Sequence, residues 1–150
     1  MIEPAAPEDA MEILALQRLA YLSEAKIYGD YSIPPLTQTL DEMLSEFGPK
    51  VILKATEQGK IIGSVRGYID GDAVHLERLI VHPAYERRGV GSSLIAHFEE
   101  CFPTARRFEL FTGHKSERNL SLYAKLGYKP FRRKEVHPEL ELVYMERVVD

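Results

Sequence analysis

Residues 76–100 read LERLIVHPAYERRGVGSSLIAHFEE, and this stretch decides the fold. The apolar run that ends at Val81 predicts a strand, and the apolar residues of LIAHF predict one face of an amphipathic helix. Gly89 and Gly91 stand between them, where they weaken the start of the helix through their backbone entropy. Glycine at such a place indicates that a strand, a tight turn or an anionic ligand approaches the main chain closely.

A phosphate site is one interpretation of these glycines. A strand followed by glycines at a helix start aims several backbone N–H groups at one point, where the helix dipole adds positive potential. Arg87 and Arg88 place charge beside that point, as a pyrophosphate would need. A glycine-containing turn without a ligand explains the pattern about as well. The P-loop pattern is absent, and Leu94 stands where the dinucleotide-binding pattern has its third glycine.

The composition indicates one ordinary globular domain over residues 1–150, with 45% hydrophobic and 28% charged residues. The formal net charge of −4 gives no electrostatic footprint for nucleic acid and suits a small amine substrate. Cys101 is the only cysteine, and no apolar run has the length of a membrane span or a signal peptide. We therefore expect a cytoplasmic protein with no nucleic-acid partner and no membrane partner.

The segments before the glycines predict two helices and three strands. PEDAMEILALQRLAYLSEA predicts a helix, and its apolar stripe is Ile13, Leu14, Leu16, Leu19 and Leu22. Residues 28–39 predict an irregular connection, and residues 37–47 predict a shorter helix that ends at Gly48. The runs KVILKAT, KIIGSVRGYID and AVHLERLIV, separated by short turn segments, predict an antiparallel meander.

The segments after the central helix predict a strand, a helix and two final strands. RFELFT predicts the strand, and SERNLSLYAKLG predicts a helix with a cap at Ser116 and a stop at Gly127. YKPFRRKEV and LELVYMERV predict the last two strands. The predicted fold class is α/β, a mixed and largely antiparallel sheet of about six to seven strands with helices on both faces.

Two segments at this spacing, LERLIVHPAYERRGVGSSLIAHFEE and NLSLYAKLGYKPF, resemble the GNAT superfamily of acyl-coenzyme A dependent N-acetyltransferases. The resemblance is close over residues 50–131 and extends to the remainder through the element order. It implies a GNAT-like sheet and acetyl-coenzyme A as co-substrate. The coenzyme-binding residues that it implies on the strand and in the loop are Ile80, Val81, Arg87, Arg88, Gly89, Val90, Gly91 and Ser92. Glu86 departs from the family's loop, which has Gln or Arg there.

The resemblance also assigns roles on the later helix. It implies that Tyr123 lies near the coenzyme sulfur, where a phenol can donate a proton to the leaving thiolate. Packing against the sheet, in a stripe with Leu120 and Leu126, is the alternative for this tyrosine. Ser116 and Asn119 are candidate coenzyme contacts, and a helix cap and an exposed polar residue are their respective alternatives.

Glu77 is the candidate general base, because only a neutral amine attacks a thioester and the resemblance places a carboxylate on this strand. A salt-bridged strand residue is the alternative interpretation of Glu77. His75, on the same predicted face, is a weaker candidate. The remaining histidines show no metal-ligand spacing, so we expect no metal.

The acceptor is the least defined part of the predicted reaction. By the resemblance, the N-terminal helices and the final strands enclose it, which makes Tyr28, Asp30 and Tyr31 the candidate substrate-binding residues. Free amino acids, polyamines, peptide N-termini and aminoglycosides are all candidate acceptors. Loop aromatics and an acid suit an amine, although turn chemistry also explains Asp30.

The predicted function is direct transfer of an acetyl group to a primary amine of a small molecule or peptide. Cys101 lies on the apolar face of its helix, so we expect no acetyl-cysteine intermediate. A non-catalytic acyl-coenzyme A binding or regulatory module is the alternative, and a nucleotide-binding protein is a third candidate. The final strands are candidates for pairing between subunits in a homodimer.

Overall fold

The structure is a computed structural model that describes residues 1–150. Its strands and helices, in chain order, are β1 (Ile2–Pro4), α1 (Ala10–Tyr28), α2 (Pro34–Thr37), α3 (Leu40–Leu44), β2 (Val51–Glu57), β3 (Lys60–Asp70), β4 (Ala73–Val81), α4 (Val90–Glu100), β5 (Arg107–Gly113), α5 (Glu117–Lys125), β6 (Lys129–His137) and β7 (Leu140–Val148). Single 3₁₀ turns precede α1 and follow β4. None of the helices combines the length and the apolar character that a membrane span requires.

All seven strands form one sheet in the order β1-β2-β3-β4-β5-β7-β6. Every neighbouring pair is antiparallel except β4 and β5, which are parallel because α4 crosses over between them. This arrangement confirms the α/β class and the mixed, largely antiparallel sheet. The parallel pair of β4 and β5 falls in the middle of the sheet, where the candidate site lies.

Two hydrophobic clusters hold the helices to opposite faces of the sheet. The larger cluster joins α4 and α5 to one face, and Phe98 and Tyr123 are among its buried residues. The smaller cluster joins α1 and α3 to the other face through residues such as Ile13 and Met43. β3 is buried on both faces along residues 61–67, so it forms the centre of the fold.

Several elements differ from the sequence prediction. β1 was not predicted, because three residues that end in proline are too short to show an alternating pattern. The segment expected to be irregular contains the single turn α2, which begins at Pro34, a residue suited to the first position of a helix. The helix predicted over 37–47 is shortened to α3, which begins at a capping box formed by Thr39 and Glu42.

The predicted apolar stripe of α1 is partly wrong. Leu19 and Leu22 are 41% and 48% exposed, whereas Ile13, Leu14 and Leu16 are buried. The second half of α1 turns a different face toward the sheet, and polar residues occupy that face. The cause is that the surface under this half of α1 is polar and is not part of the hydrophobic core.

Candidate active site

The parallel strands β4 and β5 separate in the middle of the sheet. They pair only where Ala73–His75 lies beside Arg107–Glu109. Beyond these residues β4 continues to Val81 and β5 to Gly113, and each remains paired only with its outer neighbour. Backbone groups on the two inner edges therefore lack a strand partner, and an extended ligand between the strands would supply one. The predicted coenzyme residue Ile80 lies on this part of β4.

A β-bulge interrupts β4 next to the opening. Arg78 and Leu79 together stand opposite a single residue of β3, Val65. Arg78 has φ of 50°, a left-handed conformation that is uncommon for residues other than glycine. Bulges re-aim side chains. Here Leu79 packs into the cluster on the α4 face, while the Arg78 guanidinium lies on the α1 face beside the hydroxyl of Tyr21.

The loop before α4 presents a row of free backbone donors. No N–H group from Glu86 to Ser92 donates a hydrogen bond within the protein. Arg87 and Gly89 have φ of 64° and 79°, and Gly89 forms the N-cap of α4. Left-handed residues in such a turn make an N–H concavity that binds anions, and the dipole of the following helix strengthens it. The loop therefore fits phosphate oxygens.

The charged side chains of this loop lie at its surface. Arg87 and Arg88 are exposed, and the Arg88 guanidinium lies 5.1 Å from the centre of the Tyr85 ring. Glu86 forms an ion pair with Arg118 of α5 and so connects the loop to that helix. The family's Gln or Arg at this place is thus replaced by a residue with an internal partner.

Tyr123 reaches the same region from α5. The residue is buried, with 6% of its surface exposed, and it packs in the larger hydrophobic cluster. Burial raises the pKa of Tyr123, and Tyr21 and Glu24 act in the same direction. Its hydroxyl makes no hydrogen bond within the protein and is not fully enclosed. Packing explains the ring but not the free hydroxyl.

A polar stripe on α1 closes the α1 face of the site. Gln17, Tyr21, Glu24 and Tyr28 follow one another at intervals of three or four residues, so they lie on one side of the helix. Tyr21 and Glu24 were missed by the sequence analysis, which followed the leucines. Polar residues at helical spacing, beside a short apolar stripe, are the signal that could have found them.

Glu24 joins α1 to the start of α5. Its Oε2 accepts a hydrogen bond from the Ser116 hydroxyl at 2.6 Å, and its Oε1 accepts one from the Asn119 amide at 3.2 Å. Ser116 stands at the N-cap of α5, but its side chain makes no capping bond. The predicted cap is therefore wrong, because the hydroxyl is bonded to Glu24 and to Tyr28 instead.

The predicted substrate residues lie at the end of α1, in different surroundings. Tyr28 is buried, its hydroxyl lies 2.7 Å from Ser116 Oγ, and it accepts a bond from the backbone N–H of Lys115. Gly113 makes this packing fit, since a Cβ there would overlap the Tyr28 hydroxyl. Asp30 accepts bonds from Ser32, which lower the pKa of Asp30. Tyr31 is 59% exposed.

Glu77 belongs to a chain of ion pairs on the α1 face. Its Oε1 accepts a hydrogen bond from Lys50 Nζ at 2.6 Å, and Lys50 also bonds to Glu46 at 2.7 Å. Burial opposes the charge of Lys50, but the bonds to the two carboxylates raise its pKa overall. The other oxygen, Oε2 of Glu77, accepts no hydrogen bond from the protein.

His75, the weaker candidate for the base, has partners of its own. His75 Nδ1 lies 2.9 Å from Glu109, and its ring stacks on Tyr68 with centroids 5.0 Å apart. Nowhere do three or more His, Cys, Asp or Glu side chains form a group that could hold a metal ion.

Curated relatives of this chain have low identity, and two of them serve as examples. The protein of Bacillus subtilis called UPF0157 protein YqkA is 28% identical over 120 residues, which cover 80% of this chain and 34% of that protein. Acetyltransferase SG1711 of Sodalis glossinidius is 32% identical over 84 residues, which cover 54% of this chain and 58% of that protein. The chain thus spans about a third to three fifths of the length of these curated relatives.

The fold is shared with a solved acetyltransferase. PaiA N-acetyltransferase from Thermoplasma acidophilum, in complex with coenzyme A, has a TM-score of 0.82 and 19% identity, and the match covers 99% of this chain and 98% of that one. The sequence itself matches the acetyltransferase (GNAT) family over residues 12–128. These residues include most of α1, the divergent strands, the loop before α4 and Tyr123 of α5. The chain therefore belongs to the GNAT family of acetyltransferases.

Proposed function

We propose that the protein transfers an acetyl group from acetyl-coenzyme A directly to a primary amine. One observation carries this proposal: a row of free N–H groups at the start of α4 lies in the same region as a gap between two strands and a free tyrosine hydroxyl. The first feature fits a pyrophosphate, the second an extended pantetheine arm, and the third a thiol leaving group.

The residues proposed to hold the coenzyme are mostly backbone groups. N–H groups of the loop and helix start, over Arg87, Arg88, Gly89, Val90, Gly91 and Ser92, would bind the phosphates. Main-chain groups of Ile80 and Val81 would pair with the pantetheine amides. Asn119 remains a candidate contact through its carbonyl oxygen, because only its Nδ2 is bonded. We omit Ser116, whose hydroxyl is buried and already bonded to two side chains.

Glu77 is proposed to remove a proton from the acceptor ammonium, directly or through a water molecule. An ammonium with pKa of about 10.4 must lose that proton at pH 7, which costs about 4.6 kcal/mol. Glu77 suits the task because Oε2 is free, whereas both oxygens of Glu24 are bonded to α5. The amine nitrogen then forms a bond to the thioester carbon and loses its remaining excess proton to water. As the carbon–sulfur bond breaks, Tyr123 donates its proton to the leaving sulfur and takes one back from water, and Glu77 releases its proton to the solvent.

The acceptor is proposed to be a primary amine of a small molecule or peptide that enters from the α1 face. Asp30 and the exposed Tyr31 follow the end of α1 and would make charge and cation–π contacts with the amine; Asp30 Oδ1 is bonded to Ser32, and Oδ2 lies 3.7 Å from His137 Nε2. Tyr28 supports the site from behind, since it is buried and its hydroxyl bonds within the protein.

The proposal is tested by coenzyme binding and by thiol release. Acetyl-coenzyme A should raise the melting temperature, and ATP and NAD at equal concentration should raise it less. Release of the coenzyme thiol is then measured over a panel of amines that includes amino acids, polyamines and short peptides. Binding without release on any amine would favour the alternative of a non-catalytic module, and stronger stabilisation by ATP would favour a nucleotide-binding protein.

A further inference from the structure

Arg78 differs from the neighbouring Arg66, because no carboxylate pairs with it. Its side chain is half-buried, its polar neighbour is the hydroxyl of Tyr21, and its Nε is fully enclosed without a hydrogen bond. Arg66 shows the usual arrangement: it is buried, and its three nitrogens bond to Glu46, Gln17 and Gln38. A guanidinium without an anionic partner is unfavourable at such a place in the protein alone, so it indicates an anion from outside, which would bind at the two outer nitrogens because Nε is enclosed.

The backbone directs Arg78 to this place at a conformational cost. In a regular strand, consecutive side chains point to opposite faces. The bulge, with φ of 50° at Arg78, instead turns this side chain toward α1, the face on which Glu77 also lies. A cation and an anion of adjacent residues thus share one face. They do not neutralise each other, because Glu77 is paired with Lys50.

The groups around Arg78 are those of the proposed reaction. Its charge acts on the hydroxyl of Tyr21, and Tyr21 in turn acts on Tyr123. The hydroxyl of Tyr21 contacts the Arg78 guanidinium, and the hydroxyl of Tyr123 makes no hydrogen bond within the protein. Arg78 and Tyr21 therefore lie together on the α1 side of the strand opening, and Tyr123 approaches them from the α5 side, where the acceptor would meet the acetyl group.

We infer that Arg78 binds a carboxylate of the acceptor, so that the substrates are amines that carry a carboxylate close to the amino group, as α-amino acids do. This inference rests on the proposed function. The ammonium of such an acceptor lies toward Glu77, and its carboxylate accepts charge-assisted hydrogen bonds from the guanidinium of Arg78. An α-amino acid suits this pair, because Glu77 and Arg78 lie on the same face and offer the two complementary charges.

The coenzyme phosphates are a poorer candidate for the same guanidinium. Their proposed site is the row of N–H groups at the start of α4, which packs on the opposite face of the sheet. Arg78 lies instead with α1 and Tyr21. The two positive sites therefore serve two different anions.

The test compares acceptors that differ only in the carboxylate. Each common amino acid is assayed by thiol release beside its amide. We expect kcat/KM for the best acid to exceed that of its amide by about 30-fold or more, since an unpaired partner in a buried charged contact is costly. Equal rates for acids and amides would overturn the inference while leaving the acetyltransferase proposal intact.

Variants of Arg78 locate the preference. Arg78→Gln should bring the ratio of kcat/KM for acid and amide close to one, and Arg78→Lys should keep part of the preference for acids. Arg78→Gly keeps the bulge, because glycine readily adopts this φ. It should lose the preference for acids as Arg78→Gln does, which would show that the loss comes from recognition and not from a change in folding. Arg106→Gln is the matched control, since Arg106 is exposed and its side chain has no partner. Retention of the acid preference in Arg78→Gln would contradict the inference.

Calorimetry decides the matter even without turnover. Amino acids and their amides are titrated into the protein saturated with coenzyme A, for the parent chain and for Arg78→Gln. Selective binding of the acid by the parent alone supports the inference, and equal binding of both overturns it. Failure of thiol release on every amine, with this selectivity present, would refute the proposed catalysis and not the carboxylate site.

Discussion

At the scale of single residues, two neighbouring buried tyrosines differ in whether the hydroxyl is bonded within the protein. Tyr123 and Tyr128 are both buried, and their ring centres lie 6.2 Å apart. The Tyr128 hydroxyl donates to Glu99 at 2.8 Å, whereas the Tyr123 hydroxyl has no partner in the protein. One hydroxyl therefore contributes to the fold, and the other is available to a ligand.

Tyr123→Phe should lower kcat on the order of 10²-fold and leave the free energy of unfolding nearly unchanged. In the proposed reaction the phenol gives a proton to the leaving thiolate, and no internal hydrogen bond is lost with it. Its raised pKa keeps it protonated at neutral pH, so the loss should be the same from pH 6 to 8. Steady-state kinetics, with chemistry shown to limit the rate, measures this effect.

Tyr128→Phe is the matched control for that variant. It should cost on the order of 1 kcal/mol of stability, because it removes a hydrogen bond to a carboxylate, and it should leave kcat close to the parent. Denaturant unfolding measures the first effect. Equal turnover by Tyr123→Phe and Tyr128→Phe would mean that Tyr123 only packs against the sheet.

Glu77→Gln should lower kcat/KM on the order of 10²-fold at pH 7 and recover as the pH approaches the pKa of the acceptor amine. The base is needed only while the amine is protonated, so a more basic solution replaces it. A pH–rate profile with one acceptor measures the recovery. A loss of the same size at every pH would show that Glu77 binds the acceptor or orders Lys50 instead.

At the scale of elements, α1 shows what a sequence pattern does and does not determine. Its apolar residues predicted a helix, and the helix is present. They did not determine which face of its second half is covered, because the surface beneath is a polar site and not a core. The face is set by hydrogen bonds to α5, which lie far away in the sequence.

A pair of variants on α1 tests this view. Leu22→Ala should change the free energy of unfolding by less than about 0.5 kcal/mol, since Leu22 is 48% exposed. Glu24→Ala should cost about 1–3 kcal/mol, because Ser116 and Asn119 lose their acceptor. Urea unfolding of both variants measures the difference. A larger cost for Leu22→Ala would mean that the leucine stripe, and not the polar one, faces the protein.

The strand β4 shows a second feature that a sequence pattern does not determine. Its apolar run predicted the strand, and Glu77 was placed on it correctly. The bulge at Arg78 was not predicted, since the register between strands depends on the partner strand as well as on the strand itself. The local sequence pattern therefore did not indicate that the Arg78 side chain departs from the regular alternation of the strand.

At the scale of the whole molecule, the sheet consists of two parts joined by a short parallel contact. β4 and β5 share three residue pairs, and beyond them the inner strand edges are open. Coenzyme in this gap should supply hydrogen-bond partners to the backbone on both sides. Amide hydrogen exchange of residues 79–81 and 110–113 should therefore slow several-fold when acetyl-coenzyme A binds.

The β2–β3 hairpin is the internal control for that measurement. Its backbone groups are already paired in the sheet, so their exchange should change little. Uniform slowing over the whole chain would indicate general stabilisation by the ligand without insertion between the strands. Unchanged exchange at residues 79–81, with coenzyme bound, would place the ligand elsewhere.

The exposed edge of the sheet has a consequence for self-association. β6 is an edge strand, eight of its nine residues are exposed, and it carries Lys129, Arg132, Arg133 and Lys134. An unpaired strand edge is a template for a second copy of the same chain, but here two copies would bring cations against cations. The β6 edges of two copies therefore repel each other, and salt weakens this repulsion because it screens the charges. Concentrated salt, and not dilution or warmth, is the condition under which these edges would first adhere.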